Sequence, residues 1–191
     1  MNQKKILYLT VVFWLLIFSG FILFKEYTLR TGTEMILRIE PVDPRDLFRG
    51  DYVTLNYEIS TLDLEKVQAE DTHFEYNDRI YLALELENGY GMVKKIYKNP
   101  PDDELYIKGK VKELIYDWEE DEDGLIAEEP QIKELRVEYG IESYFVPEGK
   151  GLEIESQQWT GRERVDVKVV VDKYGKAVIK SLLIDGEELK I

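Results

Sequence analysis

The sequence predicts a mainly β protein, an antiparallel barrel or sandwich-like domain behind one N-terminal transmembrane helix. Three observations carry this expectation. Residues Ile6 to Phe24 form a 19-residue run with no charge inside it. Behind it, seven or eight short segments alternate apolar and polar residues, each bounded by turn formers. No strand–helix–strand rhythm of the kind that builds a doubly wound parallel sheet is visible.

The apolar run is flanked by Lys4 and Lys5 on one side and by Lys25 and Glu26 on the other. As a helix it would be about 28 Å long, close to the hydrocarbon thickness of a bilayer. Thr10 and Ser19 can bond back to their own helix, and Trp14 lies too deep to anchor at an interface. A cleaved signal peptide would need small residues at its cleavage site. The first alanine of the chain is Ala69, and bulky Phe18 and Phe21 flank Ser19-Gly20. An uncleaved span is therefore expected. It places residues 1–25 as head and anchor, 26–33 as a juxtamembrane linker and 34–191 as a strand-rich acidic domain. A signal-anchor with so short a head sends the C-terminal part across, so the domain is expected outside the cytoplasm at the cell membrane. Lys/Arg counts on the two sides are nearly balanced and add little to this orientation.

Along the domain, Met35, Leu37 and Ile39 share one parity and read as a strand. Pro41, Asp43, Pro44 and Gly50 then break the chain. Val53, Leu55, Tyr57 and Ile59 alternate with Thr54, Asn56, Glu58 and Ser60, which predicts one continuous half-buried strand. Leu62–Ala69 fits a short helix or a loop. Ile80, Leu82, Leu84 and Leu86 form the next strand, and Asn88-Gly89 turns it into Met92–Tyr97 as a hairpin. Leu105 to Ile115 continues the pattern. The self-repelling run DWEEDEDG at 117–124 reads as an exposed loop, and two halves of the domain would meet near 117–130. Leu135, Val137 and Tyr139 alternate next, and a short helical piece fits within Ile141–Gln158. Val165, Val167, Val169 and Val171 then alternate cleanly. Asp172-Lys173-Tyr174-Gly175 turns the chain into Ala177–Ile184, and Asp185-Gly186 turns it again.

The chain has 191 residues, 39 acidic groups against 25 basic ones, and a net charge of -14. Setting aside Lys4, Lys5 and Lys25, residues 26–191 carry 22 basic against 39 acidic groups, a net of -17. Such a surface repels nucleic acid, so no nucleic-acid partner is expected, and it repels anionic lipid heads. The domain is thus expected to stand off the bilayer on residues 26–33. The absence of cysteine removes disulfides, thiolate nucleophiles and Cys-ligated metals.

Residues 50–57, GDYVTLNY, hold Gly50, Asp51, Tyr52, Leu55 and Tyr57 in the spacing that gives the GDYXXLXY family its name. The preceding PVDPRDLFR, the later YGIESYFVPEG and the terminal alternating valines followed by VDKYGKAVIKSLLIDG also resemble that family, from about Glu34 to Gly186. The resemblance implies a membrane-anchored bacterial protein, in some cases encoded with or joined to multi-pass membrane proteins, and it supplies no activity to transfer. Read as residues, Gly50 and Asp51 open the strand, with Asp51 accepting turn N–H bonds or pairing with Arg45 or Arg49. Leu55 and Tyr57 face inward, where the Tyr57 hydroxyl must find a partner. Tyr52 would pack under Asp43–Arg49. The competing reading makes Asp43, Arg45, Asp46, Arg49 and Asp51 a ligand site.

A second cluster, Tyr139 to Gly149, holds Tyr139, Tyr144, Glu142 and Glu148. It reads as a core corner closed by Pro147 and Gly149. As a pocket, it would receive a basic group on Glu142 and Glu148. No catalytic signature is found. His73 is the single histidine and builds no multi-histidine metal site, and no serine sits in a nucleophile elbow. A Ser–Lys dyad would draw on Ser143 or Ser156 with Lys168 or Lys176, but Lys168 lies on the outward parity of the valine strand. The acidic run lacks the ligand order of an EF-hand, and no glycine-rich phosphate cradle precedes a helix. Neither metal nor cofactor is therefore expected.

The expected function is that of a membrane-anchored accessory or interaction module, held in the lipid bilayer through Ile6–Phe24 and working with an integral membrane protein. The alternative is an envelope hydrolase or small-ligand-binding domain that uses the aromatic-acidic cluster.

Overall fold

The computed structural model describes residues 3–40, 52–117, 130–145 and 164–189. Helix α1 runs over Gln3–Thr31. The strands that follow are β1 (Thr33–Arg38), β2 (Tyr52–Thr54), β3 (Thr61–Asp63), β4 (Gln68–Ala69), β5 (Arg79–Glu87) and β6 (Tyr90–Tyr97). They continue with β7 (Tyr106–Asp117), β8 (Gln131–Glu138), β9 (Ser143–Phe145), β10 (Val165–Val171), β11 (Ala177–Ile184) and β12 (Glu187–Glu188). A ten-stranded sheet takes the order β12-β11-β10-β1-β6-β5-β7-β8-β3, with β4 also on β6, and β2 pairs β9 in a separate two-stranded sheet.

The sheet is mixed, which corrects the expectation of a purely antiparallel domain. Both β1 and β4 run parallel to β6, at Ile36 opposite Tyr90 and at Gln68-Ala69 opposite Lys95-Ile96. Nor do the described strands close into a barrel: β12 and β3 end the order, and no pairing joins them. Local alternation fixes which face each strand buries. It does not fix the neighbour, and here β1 sits between two strands far from it in sequence.

Burial follows the alternation closely. Met35 faces Val169 and Leu37 faces Val167 across the β1–β10 ladder, and all four side chains are buried. Leu55, Tyr57 and Ile59 belong to the same core as Val167, Val169 and Val171. Asn88 and Gly89 both adopt positive φ, 53° and 87°, as a two-residue hairpin turn requires, and Asp185-Gly186 repeats this. Four bulges interrupt the described ladders. Their extra residues are Lys94, Lys112, Lys133 and Lys180, each ion-paired, to Glu104, Glu138, Asp117 and Glu34 respectively. An unpaired residue in a bulge leaves the ladder, and a long charged side chain carries it into solvent.

Three local expectations are corrected. Val53–Ile59 is not one strand, because its backbone changes partners at nearly every residue. Residues 52–54 pair with β9, Leu55 N–H donates to the Glu142 carbonyl at 2.8 Å, and Glu40 N–H donates to the Asn56 carbonyl at 2.8 Å. Tyr57 then bridges Ile39, and Glu58–Ser60 forms a single 3-10 turn. Leu62–Ala69 is not a helix: β3 and β4 flank a turn in which the Asp63 carboxylate accepts Glu65 N–H at 3.0 Å. Glu26–Thr31, expected within a juxtamembrane linker, continues α1 as helix. Within Ile141–Gln158, where a short helical piece was expected, Ser143–Phe145 forms strand β9 and residues 146–158 lie outside the described residues, as does the 118–124 part of the acidic run.

A single residue, Gly32, links α1 to β1 in sequence. A Cβ there would lie 2.5 Å from Val170 Cγ1, 2.7 Å from the Val171 carbonyl and 2.9 Å from the Thr28 carbonyl. Gly32 N–H donates to that Thr28 carbonyl at 2.9 Å, and Thr28 is only 1% exposed. The last turn of α1 thus covers the outer face of β10, which explains why Val170 is buried together with Val169 and Val171.

Candidate functional site

The segment from Tyr139 to Tyr144 and the segment from Leu55 to Ile59 meet at one corner of the core. Strand β8 delivers Tyr139 to that corner, and Gly109 on neighbouring β7 makes room for its ring. A Cβ at Gly109 would lie 2.9 Å from Tyr139 Cε1 and 2.3 Å from Val137 Cγ1. The Tyr139 hydroxyl donates to the Ile59 carbonyl. In the opposite direction, the Tyr57 hydroxyl donates to the Ile141 carbonyl at 2.6 Å. Each segment therefore uses a phenol to satisfy a backbone acceptor of the other. Tyr57 is 0% exposed and Tyr139 is 8% exposed.

Glu142 closes the corner from its rim. Its carboxylate accepts the Tyr139 N–H on Oε1 and the Gly140 N–H on Oε2, the second at 2.9 Å. Its own carbonyl takes the Leu55 N–H. Burial, reinforced by the nearby Glu142 charge, raises the pKa of both phenols well above the ordinary tyrosine value. At neutral pH both are fixed donors, unsuited to proton transfer. Glu40, hydrogen-bonded through Oε2 to Asn56 Nδ2 at 3.4 Å, has its pKa raised by burial and by the charge of Glu58.

The structure brings together four of the residues singled out from the sequence: Tyr57, Tyr139, Glu142 and Tyr144. Tyr144 is half-buried against the core and pairs with Val53 across β2–β9. The backbone of Tyr52 lies in β2 opposite Phe145. Asp43, Arg45, Asp46, Arg49, Gly50, Asp51 and Glu148 lie outside the described residues. His73 is exposed, with Nδ1 3.4 Å from Asp71 Oδ1. Lys168 is ion-paired with Glu188. Among the described residues no group of three or more His, Asp or Glu side chains is placed to hold a metal ion.

One polar cluster escaped the sequence reasoning. Asp166, 3% exposed, accepts the Tyr90 hydroxyl at 2.9 Å and lies 3.1 Å from Arg164 Nε. The guanidinium carbons of Arg38 and Arg164 stand 5.2 and 5.1 Å from the Tyr90 ring centroid. Burial and the Asp166 hydrogen bond raise the Tyr90 pKa. The available signal was Asp166 beside Arg164 on the outward parity of the valine strand, but Tyr90 comes from β6 and Arg38 from β1.

With this geometry in place, the comparison with known families is decisive. The model of the GDYXXLXY proteins matches residues 14–182. The chain belongs to the GDYXXLXY family. The match begins within the apolar part of α1 and ends in β11, so it covers α1 from Trp14 onward and most of the sheet. Neither the curated proteins nor the solved structures give a match to this chain. In the motif that names the family, Leu55 and Tyr57 are core side chains, and Tyr57 supplies one of the two crossing phenols.

Proposed function

We propose that this protein is a single-pass, membrane-anchored accessory or interaction module that presents its acidic β domain on the extracytoplasmic side and works with an integral membrane protein. The observation that carries this reading is α1. It is long and apolar enough to cross a bilayer, and none of its apolar window is buried by the rest of the chain. Most side chains from Ile6 to Leu23, including Leu9, Phe13, Leu16 and Phe21, stand exposed. So large an apolar surface calls for lipid or another membrane helix to cover it.

The corner at Tyr57 and Tyr139 gives no comparable support to an envelope hydrolase or small-ligand site. Its phenols are paired with backbone carbonyls, and both Glu142 oxygens accept backbone N–H groups. The residues of the name-giving motif that are described serve the fold. Affinity capture from detergent-solubilised membranes tests the reading. The native chain is compared with a chain whose Ile6–Phe24 is replaced by an unrelated apolar span. Enrichment of an integral membrane protein with the native chain supports it. Capture of no membrane protein above the level seen with the replaced span contradicts the partner assignment.

A further inference from the structure

We propose that the outward face of the β5–β7 pair, centred on Arg79, Tyr81, Lys108 and Lys110, is the docking surface for an acidic, extended segment of the membrane partner. This deepens the reading of the protein as an interaction module and rests on it. The face follows from register. Ile80 and Leu82 on β5, like Ile107 and Val111 on β7, turn into the core, which sends Arg79, Tyr81, Lys108 and Lys110 the other way. Arg79, Lys108 and Lys110 are exposed and Tyr81 is half-buried. Tyr81 lies opposite Lys108 and Arg79 opposite Lys110, so three cations and one ring share two neighbouring outward rungs of the ladder. Like charges directly opposite each other destabilise a ladder. Among the described residues no carboxylate comes within ion-pair distance of any of these three cations.

The acids nearest the face are engaged elsewhere. Glu138, opposite Lys110 on β8, is bound by Lys112 at 2.6 Å, and Glu113 by Arg136 at 3.0 Å. Asp78, next to Arg79, accepts the Glu75 N–H at 2.9 Å. On the β6 side, Glu104 is held by Lys94 at 3.3 Å and by the Tyr97 hydroxyl at 3.0 Å, and Lys95 adds to the positive field on it. Glu70 beside Tyr97, Glu75 before Arg79 and Glu85 farther along β5 stay on the margin. In a domain of net charge -17, three cations therefore stand together uncompensated, and they complement an anionic partner.

Spacing and position point to a polypeptide of the membrane partner. Outward side chains of a strand recur about every 6.7 Å, which separates Lys108 from Lys110 and equally separates alternate carboxylates of an extended peptide. Tyr81 adds an aromatic surface, its ring meeting Tyr106 edge-on at 5.6 Å, and tyrosine and arginine are residues that interfaces favour. The Tyr106 ring packs on Gly175, where a Cβ would lie 2.5 Å from Cε2, and the Lys108 N–H donates to the Gly175 carbonyl at 2.8 Å. The turn that holds Gly175 borders Tyr27, Thr28 and Thr31 of α1. Thr28 stands about 6 Å past Phe24 along the helix axis, so the face begins at the foot of the span, at the level of the short loops of a neighbouring integral membrane protein.

The test titrates the full chain, in uncharged detergent at low salt, into a fluorescent peptide of about ten residues that alternates glutamate with threonine, read by anisotropy. Saturable binding is expected, and it should weaken at least tenfold when Lys108→Glu and Lys110→Glu are combined. Arg79→Glu should weaken it at least threefold, and the milder pair Lys108→Gln and Lys110→Gln should act in the same direction. Lys66→Glu, the same change of charge on the turn between β3 and β4, should alter it less than twofold. A peptide with glutamine in place of glutamate should bind at least tenfold more weakly. Equal binding of the two peptides, or an equal loss with Lys66→Glu, overturns the face. Tighter binding of a glycerol phosphate oligomer of equal charge, or of phosphatidylglycerol vesicles, overturns the polypeptide assignment. The affinity capture described above separates the two readings. A membrane protein enriched equally by the native chain and by the Lys108→Glu and Lys110→Glu pair overturns the face and keeps the module. Peptide binding as expected with no membrane protein captured overturns the membrane partner and keeps the acid-binding face.

Discussion

Replacing Tyr57 by Phe removes a single hydroxyl from a side chain with no solvent exposure and leaves the ring in place. The loss is one hydrogen bond to the Ile141 carbonyl, 2.6 Å long in the native protein. That carbonyl is then left in an apolar corner without its phenol. A net hydrogen bond is worth about 1 kcal/mol, and an unsatisfied buried acceptor costs about 1–3 kcal/mol. The expected destabilisation is therefore about 1–3 kcal/mol near neutral pH, against less than about 0.5 kcal/mol for the exposed Tyr76→Phe. The pH dependence gives a second, independent sign. The folded-state pKa of Tyr57 is raised above its ordinary value of 10.0 by burial and by Glu142. Its contribution is fully present below the unfolded pKa and is lost as pH rises above it, because only the unfolded phenol ionises there. Relative to Tyr57→Phe, the native protein should thus lose about 1.4 kcal/mol by one unit above that pKa. Urea unfolding of the full chain in detergent, followed by circular dichroism between pH 8 and 11, measures both effects. If Tyr57→Phe matches the native protein at pH 8, or if the gap does not narrow at pH 11, the phenol is not locked as described.

Other substitutions probe the core and the joint. Leu55→Ala should cost about 2–5 kcal/mol and Val167→Ala about 1–3 kcal/mol, since both side chains belong to one buried core, whereas exposed Thr54→Ala should stay under about 0.5 kcal/mol. The same unfolding assay reads all three, and equal losses at Thr54 and Leu55 would overturn the burial register. Gly32→Ala forces a Cβ against Val170 and two backbone carbonyls. It should cost about 1–3 kcal/mol and raise amide exchange in the last turn of α1 and in β10. Exchange as in the native protein would show that the joint is not tightly packed.

Much of the local structure was legible because short-range physics decides it. Asn88-Gly89 and Asp185-Gly186 demand positive φ and specify hairpins wherever they stand between alternating runs. Val165 to Val171 alternates so regularly that only a strand fits. The partners were not legible. Nothing in Met35-Ile36-Leu37 announces that β10 lies on one side and β6, in parallel, on the other. The motif segment shows the limit most clearly. Its period of two separates buried Leu55, Tyr57 and Ile59 from Thr54, Asn56 and Glu58, but Ser60, expected on the outward face, is buried at the end of the 3-10 turn, and the backbone serves several neighbours in turn. For Tyr57, inward parity already required a buried acceptor for its hydroxyl. That the acceptor is the Ile141 carbonyl, with Tyr139 reaching back to Ile59, depends on contacts across 84 and 80 residues. The Arg38–Tyr90–Asp166–Arg164 cluster was hidden for the same reason, being assembled from three strands distant in sequence.

The central claim is that α1 holds the folded domain at the outer face of a membrane, and labelling in intact cells tests it most directly. A Tyr76→Cys chain, with its exposed position on the domain, is treated with a membrane-impermeant maleimide, and the membrane fraction is then washed with alkaline carbonate. The expected result is a labelled chain that remains in the pellet, with an intact mass that still includes Lys4 and Lys5. A chain that remains in the membrane but is labelled only after lysis, or one that is released by the wash with an N-terminus beyond α1, would contradict it.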